Sequence, residues 1–564
     1  MVRIVKISIS NFRGIHSLDW FPSPGLNCLI GSGDSCKTTV LDAIDWCLGL
    51  RRTVTVTDAD FHNMDVSNPL RIDITLSELR DAQLTLTHYG NFLRGYNPAT
   101  GVIEDEVGAG LNEALTIRFQ SDATLEPSWT LVSDRATAQG LTKNLTWADR
   151  TIISPTRIGV YANHHMSWNK WSVLNKVTDE RADASGELAI AAREARESFG
   201  NSAGARLAGT LGTVKTTADE LGVPVGANVQ AMLDPHSVSF TGGTIALHDE
   251  RGVPLRNLGM GSSRLLVAGL QNKTAERSSI ALVDEVETGL EPHRILRFLR
   301  AIGAKTQPPP LQVFMSTHSP SVLRELSSSQ LCIIRAGTPH SISPAGDDTF
   351  TQGALRSHAE AFFGSQILIC EGATEVGLIR GIDLYRDDNN LPTLGASGGV
   401  CVDGGGVTRL YNKANPFHRL SYKTAIFRDD DVQPDVTVEA SYINAGVQLF
   451  KWSAGKALEN ELFDCLTEPA VCRLVEHAVG LHGMEYIDAN ISTVSQQALT
   501  SAQVLRNLTA ENRQILGNAA KNHGWFKRID YMEQAARTII APDIFQNDTM
   551  FKQTISSVYR WAGL

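Results

Sequence analysis

A short apolar run, Gly25 to Ile30, leads straight into Gly31-Ser32-Gly33-Asp34-Ser35-Cys36-Lys37-Thr38-Thr39, and a helix-forming stretch follows from Lys37 to about Leu48. A buried strand, a Gly-rich turn and a helix in this succession restrict the fold to α/β and describe a phosphate loop. The backbone N–H groups of Gly31, Gly33 and their neighbours, through Thr39, surround phosphates at the helix N-terminus. Lys37 reaches the β and γ oxygens, and Thr38 ligates Mg²⁺. Cys36 stands where a Gly is usual and puts a side chain where the loop is tight.

Three further segments belong with this loop. Ile280-Ala281-Leu282-Val283-Asp284-Glu285 is an apolar strand ending in two carboxylates, of which Asp284 would hold the Mg²⁺ shell and Glu285 would polarise a water. Leu311 to Ser316 is another strand and runs into Thr317-His318. Leu258-Gly259-Met260-Gly261-Ser262-Ser263-Arg264 is a Gly/Ser turn into a helix. Between them, Val2 to Ile9, Leu70 to Leu76 and Leu115 to Phe119 alternate as half-buried strands do. From about Ser172 to Leu221 the spacing becomes helical, and the strand pattern returns at Val238 to Leu255 around the turn Glu250-Arg251-Gly252.

A Gly-, Ser- and Pro-rich stretch, Ala336 to Gly353, reads as a linker to a second parallel α/β unit. Its strand Gln366 to Cys370 ends in Glu371-Gly372-Ala373-Thr374-Glu375, and its strand Thr424 to Phe427 ends in Arg428-Asp429-Asp430-Asp431. Strand ends on the carboxyl side of a parallel sheet converge on one crevice, so Glu371 can share divalent cations with Asp429 and Asp431, which point the same way if the pleat persists. Hard oxygen ligands suit Mg²⁺ or Mn²⁺. Read alone, Asp429 to Asp431 is a solvated acidic turn before Pro434. From about Ala470 the chain is mostly helical.

The first set of segments, with Asn11-Phe12-Arg13-Gly14 after the opening strand, resembles the ATP-binding-cassette ATPases of the SMC and RecF type. The resemblance implies that Gly31 to Thr38 is Walker A, Asp284 and Glu285 are Walker B, and His318 is the switch histidine. Gly259 to Ser263 then acts as the signature loop, with Ser262 and Ser263 touching a γ-phosphate held by another subunit. Thr288-Gly289-Leu290-Glu291-Pro292 fits the D-loop. The second set, Glu-Gly after one strand and Asp-x-Asp after another with Gly404-Gly405-Gly406 between, resembles the Toprim fold. Glu375 joins its metal ligands, and Ala457 to Leu462 resembles the acidic element that supplies a second metal through Glu459 or Glu461.

An SMC-like ATPase followed by Toprim resembles the OLD (overcoming lysogenization defect) family of nucleases, which includes the nuclease subunit of Gabija antiphage systems. That family uses a Lys near the C-terminus at the scissile phosphate; Lys527 is the nearest match and Lys521 its rival. The resemblance divides the chain into an ATPase N-terminal half (1–171), a helical dimerisation insertion (172–230), an ATPase C-terminal half (231–345), a Toprim domain (360–470) and a helical region completing the nuclease site (471–564). The fold class expected is therefore α/β, an ABC-type ATPase domain followed by a Toprim α/β domain. The function implied is an ATP-regulated endonuclease, cutting DNA with Mg²⁺ or with Mn²⁺ or Ca²⁺, in antiphage defence. Its implied partners are DNA, further copies of itself, and a helicase, reverse transcriptase or other defence protein.

Charge decides how DNA could be met. A formal net charge of -10 over 564 residues excludes a surface basic throughout. The last 50 residues nevertheless carry six Lys or Arg against four Asp or Glu, compatible with a local DNA-facing surface. The eight cysteines are scattered and read as reduced thiols, and no run approaches the roughly 20 apolar residues of a membrane span. The N-terminus lacks a signal-peptide layout, so the expected location is cytoplasmic. The competing reading is a RecF- or SMC-like repair ATPase that binds DNA without cutting it. A topoisomerase or primase would need a gate tyrosine or a polymerising apparatus, and no segment reads as either.

Overall fold

The computed structural model of the chain describes residues 2–50, 53–79, 90–160, 162–168, 172–177, 185–233, 245–275, 279–497, 499–547 and 549–564. These form two compact units. One comprises Met1–Cys28, Thr38–Thr317 and Gly337–Ser341, the other Leu29–Lys37, His318–Ala336 and Ile342–Leu564. The fold is mixed α/β with a helical C-terminal region.

In the first unit the N-terminal segment forms the strand Arg3–Phe12, which pairs antiparallel with Ile15–Trp20 and Leu70–Ser77; the latter pairs with Asn112–Ser121. A register shift between Ile4 and Lys6 inserts a bulge, so Ile4 and Ile7, three apart, are both buried. Ile72, Ile74, Ile117 and Phe119 complete the apolar face of this sheet. On its other face Arg118 pairs with both oxygens of Asp73, at 2.7 and 2.6 Å. A second, parallel set of strands places Thr156–Ile158, Ile280–Val283 and Gln312–Ser316 side by side, with Leu26–Ile30 next in order. Its strands are almost entirely buried, as a parallel sheet covered on both faces must be.

The stretch expected as a helical insertion carries the helices Leu174–Val177 and Ser185–Glu220, and along the second, 36 residues long, Ile190, Phe199, Leu207 and Val214 are exposed. The strand expected from Val238 lies partly outside the described residues. Its remainder makes isolated bridges, Ser167 to Ala246 and His248 to Pro254, around a turn in which Gly252 takes φ +78°.

The stretch expected as a linker carries the strand Ser341–Pro344 and, within the second unit, the helix Thr349–Ser357, N-capped by Asp348. Four described strands then form a parallel sheet in the spatial order Gly399–Asp403, Gln366–Cys370, Lys423–Arg428, Gln448–Lys451. Helices Ala373–Asp388, Val407–Arg419 and Val436–Asn444 connect them in sequence. The strand order is thus 2-1-3-4, and it reverses between the first and third strands, the position at whose carboxyl ends open parallel sheets bind ligands. The C-terminal helices close on the helix Ala373–Asp388 at two glycines four residues apart. A Cβ on Gly377 would stand 2.6 Å from the Ile529 carbonyl oxygen, and one on Gly381 2.3 Å from that of Glu533. No helix among the described residues is long and apolar enough to cross a membrane.

Candidate nucleotide and metal sites

The loop Gly31 to Cys36, expected to bind phosphates, runs into the helix Lys37–Leu48. Lys37 is buried and its Nζ donates to the carbonyls of Gly31 (3.2 Å) and Ser32 (2.9 Å) and to Ser35 Oγ (3.3 Å). At Gly31 a Cβ would meet the Ile334 carbonyl oxygen at 2.5 Å, so only glycine fits, whereas Gly33 faces open space. Thr39 is half-buried in the first helical turn. Cys36 is constrained by backbone more than by crowding: it holds φ +68°, in the left-handed region. That conformation costs a non-glycine residue about 1–2 kcal/mol, against about 0.5–1 kcal/mol of chain entropy for glycine. Cys36→Gly is therefore expected to raise stability by up to about 1 kcal/mol and to leave ATP affinity within about twofold, checked by thermal unfolding and an ATP titration.

In the other compact unit Thr38 Oγ1 donates to Asp284 Oδ1 at 3.3 Å, and Ser316 Oγ donates to the same oxygen at 2.5 Å. Ser316 Oγ also accepts the Glu285 N–H at 2.9 Å, so the neighbouring strand holds the Asp284 carboxylate and the Glu285 backbone. Glu285 sits at φ +45° and accepts from Thr288 Oγ1 on Oε2. Below the turn lies Arg264, fully buried, which donates to the carbonyls of Asp284, Glu285 and Thr288. Ser262 Oγ accepts from Arg294 at 3.1 Å, and Ser263 is buried with its Oγ toward the Leu258 carbonyl. Gly261 abuts Gly289, whose carbonyl oxygen would lie 2.1 Å from a Cβ. Arg264, Ser316 and Arg157 were not singled out by the sequence. Arg157 gathers Asp42 (2.7 Å) and Asp45 (3.2 Å) from the helix Lys37–Leu48 and Asp284 (3.8 Å) from the end of a distant strand. Only Ser316, a polar residue closing an apolar strand, carried a local signal.

His318 belongs to the same compact unit as Lys37, and its exposed ring stacks on Phe363, centroids 6.1 Å apart and planes 26° apart.

The carboxylates lie at the reversal point of the four-stranded sheet. Glu371 follows the first strand and Asp429 the third, and the Asp429 N–H donates to Glu371 Oε2 at 3.0 Å. Glu375 Oε2 accepts the Gly372 N–H, and Asp429 Oδ1 accepts the Leu458 N–H at 3.0 Å, so backbone orients each group. Glu375 and Glu459 are 4% exposed. Burial, then the Asp429 and Glu459 charges, hold Glu375 well above the ordinary carboxylate range. Burial, then Glu459, Glu371 and Asp431, push Asp429 up to about 8. Glu371 and Glu459 are raised mainly by burial. Such mutual repulsion among oxygens is what a hard divalent cation relieves, and the donor set fits Mg²⁺ or Mn²⁺. Among the described residues no three His, Cys, Asp or Glu side chains already form a ligand set.

Three expectations are sharpened. Glu461 is not brought to this cluster: it accepts from Ser453 Oγ at 2.9 Å and lies 3.6 Å from Lys456 Nζ, because residues two apart on a helix face nearly opposite ways. Asp430 also turns away; despite its burial, the Gly455 N–H and Lys451 hold it down at about 2. Of the two lysines, Lys521 makes the direct contact, 2.7 Å from Asp431 Oδ2, while the charges of exposed Lys527 and of Lys521 both bear on Glu459.

A carboxyl whose folded pKa is raised keeps its proton while the unfolded chain loses it. With chelator present, the contribution of Asp429, raised from the ordinary range to about 8, should be lost between pH 5 and 7.5 by up to about 1.4 kcal/mol per pH unit. Denaturant unfolding at the two pH values should show a smaller loss in Asp429→Asn.

Residues 26–324 match the family model described as "AAA domain, putative AbiEii toxin, Type IV TA system". Among solved structures, an Smc head domain with an extended coiled coil bound to the C-terminal domain of ScpA, from Pyrococcus furiosus, is 12% identical, with 61% of this chain and 96% of that chain covered and a TM-score of 0.35. The SMC head domain from Thermotoga maritima is 13% identical, with 61% and 98% covered and a TM-score of 0.30. An SmcHead bound to the C-winged helix domain of ScpA is 14% identical, with 60% and 96% covered and a TM-score of 0.34. No curated protein sequence matches the chain.

Proposed function

We propose, from the premise that the chain belongs to the family of AAA domains matched over residues 26–324, that its ATPase domain regulates a divalent-metal-dependent DNA endonuclease of the OLD type built on a Toprim domain. The observation that carries the nuclease reading is the placement of Glu371 and Asp429, with Glu375 and Glu459, at the reversal point of a 2-1-3-4 parallel sheet. Glu371, Glu375, Asp429, Asp431 and Glu459 would hold the divalent cation, which when bound would supply water activation and charge stabilisation at the leaving 3′ oxygen. Lys521 or Lys527 neutralises charge on the scissile phosphate. In the ATPase, Lys37 meets the phosphates, Thr38 and Asp284 hold Mg²⁺, and Glu285 orients the attacking water.

Incubation of the purified protein with supercoiled plasmid, with and without Mg²⁺ or Mn²⁺ and over a range of ATP, tests this reading. Nicks or breaks that vanish with chelator support it. DNA binding without cutting would favour the repair ATPase, which the Lys521 ion pair on Asp431 and the absence of a gathered ligand set among the described residues make the second reading.

The protein acts as a homodimer or larger oligomer, because a signature loop serves, through Ser262 and not through the fully buried Ser263, a nucleotide held by another subunit. The exposed apolar residues of the helix Ser185–Glu220 supply a surface for self-association. Replacing 185–220 by a short Gly/Ser bridge should halve the mass measured by light scattering; an unchanged oligomer contradicts the role. A cytoplasmic role in antiphage defence, beside a helicase, reverse transcriptase or other partner, follows from the same reading and is tested by phage plating with and without the gene.

A further inference from the structure

We infer that Phe363 is a positioning residue through which nucleotide engagement at His318 reaches the carboxylate site, an inference that rests on the nuclease reading above. His318 and the phosphate loop Leu29–Lys37 fall within the same compact unit as the carboxylates. The His318 ring rests on Phe363 with centroids 6.1 Å apart. Phe363 ends the helical turn Ala359–Phe363, and eight residues later the chain reaches Glu371.

Little along those eight residues can absorb a movement. At Gly364 a Cβ would lie 2.8 Å from Val400 Cγ2 and 3.1 Å from the Gly398 carbonyl oxygen, and the Ser365 N–H donates to that same oxygen at 2.8 Å. The strand Gln366–Cys370 is wholly buried, and the Glu371 N–H donates to the Phe427 carbonyl at 2.8 Å. The turn itself is tied at three further points. Arg324, on the helix Pro320–Glu325 that follows His318, pairs with Glu360 at 3.0 Å. Tyr422 Oη donates to the Phe362 carbonyl at 2.9 Å. Lys413 Nζ joins His358, the residue before the turn, to the Asp403 carbonyl at the end of the neighbouring strand. A ring that must present an N–H to a phosphate changes its seat on Phe363, and a packed, tethered turn passes that change on as a shift of the strand end. Such coupling is limited to the difference in affinity between the two ring positions.

The test uses the full-length protein, ATP, and supercoiled plasmid with Mn²⁺. For wild type, Phe363→Leu and Phe363→Tyr, initial cleavage rates are measured without ATP and at saturating ATP, with ATP affinity measured separately. In wild type the two rates should differ at least tenfold. In Phe363→Leu they should come within twofold of each other, with the ATP-free rate and the ATP affinity within twofold of wild type. Phe363→Tyr, which keeps the ring, should retain the wild-type ratio. If Phe363→Leu does not fold, Phe363→Met keeps the apolar volume without the ring and answers the same question. A leucine or methionine variant with the wild-type ratio, or a wild type indifferent to ATP, overturns the coupling and leaves the nuclease reading standing. A wild type that cuts at no ATP concentration removes the nuclease reading, and the coupling with it.

Discussion

Glu371→Ala and Asp429→Ala are each expected to lower Mn²⁺-dependent cleavage of supercoiled DNA by roughly 10³-fold or more, because a metal-assisted displacement fails when the cation no longer fixes water and leaving group in line. The two side chains sit on adjacent strand ends and are joined by the 3.0 Å bond from the Asp429 N–H to Glu371 Oε2, so the variants should resemble one another. ATP affinity should be unchanged in both. Asp430→Ala makes the contrast. Its carboxylate, 5% exposed, is bound by the Gly455 N–H and by Lys451, so its loss should appear in the unfolding midpoint and leave Mn²⁺ affinity within a fewfold of wild type. Full cleavage by both Glu371→Ala and Asp429→Ala would show that the acidic cluster serves the fold alone.

Lys37→Ala is expected to weaken ATP binding by about 2–3 kcal/mol, roughly 30- to 150-fold, since hydrogen bonds to charged groups are worth about that much and nothing replaces the ammonium. Its Nζ, which donates to Gly31, Ser32 and Ser35, also shapes the loop, so part of the loss reflects a looser cradle. Glu285→Gln should instead retain ATP and stop its turnover. An ATP titration that gives equal affinity for wild type and Lys37→Ala contradicts the assignment of the phosphate loop.

What the sequence revealed and what it hid divide along chemical lines. The phosphate loop, the Asp284-Glu285 strand end and the two acidic strand ends could be read because each is a short contiguous pattern in which strand, turn and ligand are neighbours in the chain. Arg157 could not, because its three carboxylates come from Asp42, Asp45 and Asp284, and nothing local marks a surface arginine for that duty. Glu459 and Glu461 were equivalent on paper. Helical phase separates them, and the phase is set where the helix Leu458–Cys465 begins, with the Leu458 N–H on Asp429. The choice between Lys521 and Lys527 depends on how the helix Ala510–His523 docks, where a Cβ on Gly517 would stand 3.0 Å from Asn460 Cα, a contact that no spacing encodes. At Cys36 the departure from glycine was visible, but its cost lies in a φ of +68° that no residue pattern encodes. The bulge at Val5 was hidden by an apolar pattern that alternates across it.

The central claim, that the carboxylates at this sheet reversal bind a divalent cation, is tested most directly by calorimetric titration of Mn²⁺ into Lys37→Ala without nucleotide, so that the ATP-linked cation does not contribute. At least one Mn²⁺ should bind per chain, with proton release, and the heat should vanish when Asp429→Ala is added to the same background. No binding in Lys37→Ala, or binding that persists undiminished without Asp429, would contradict the account.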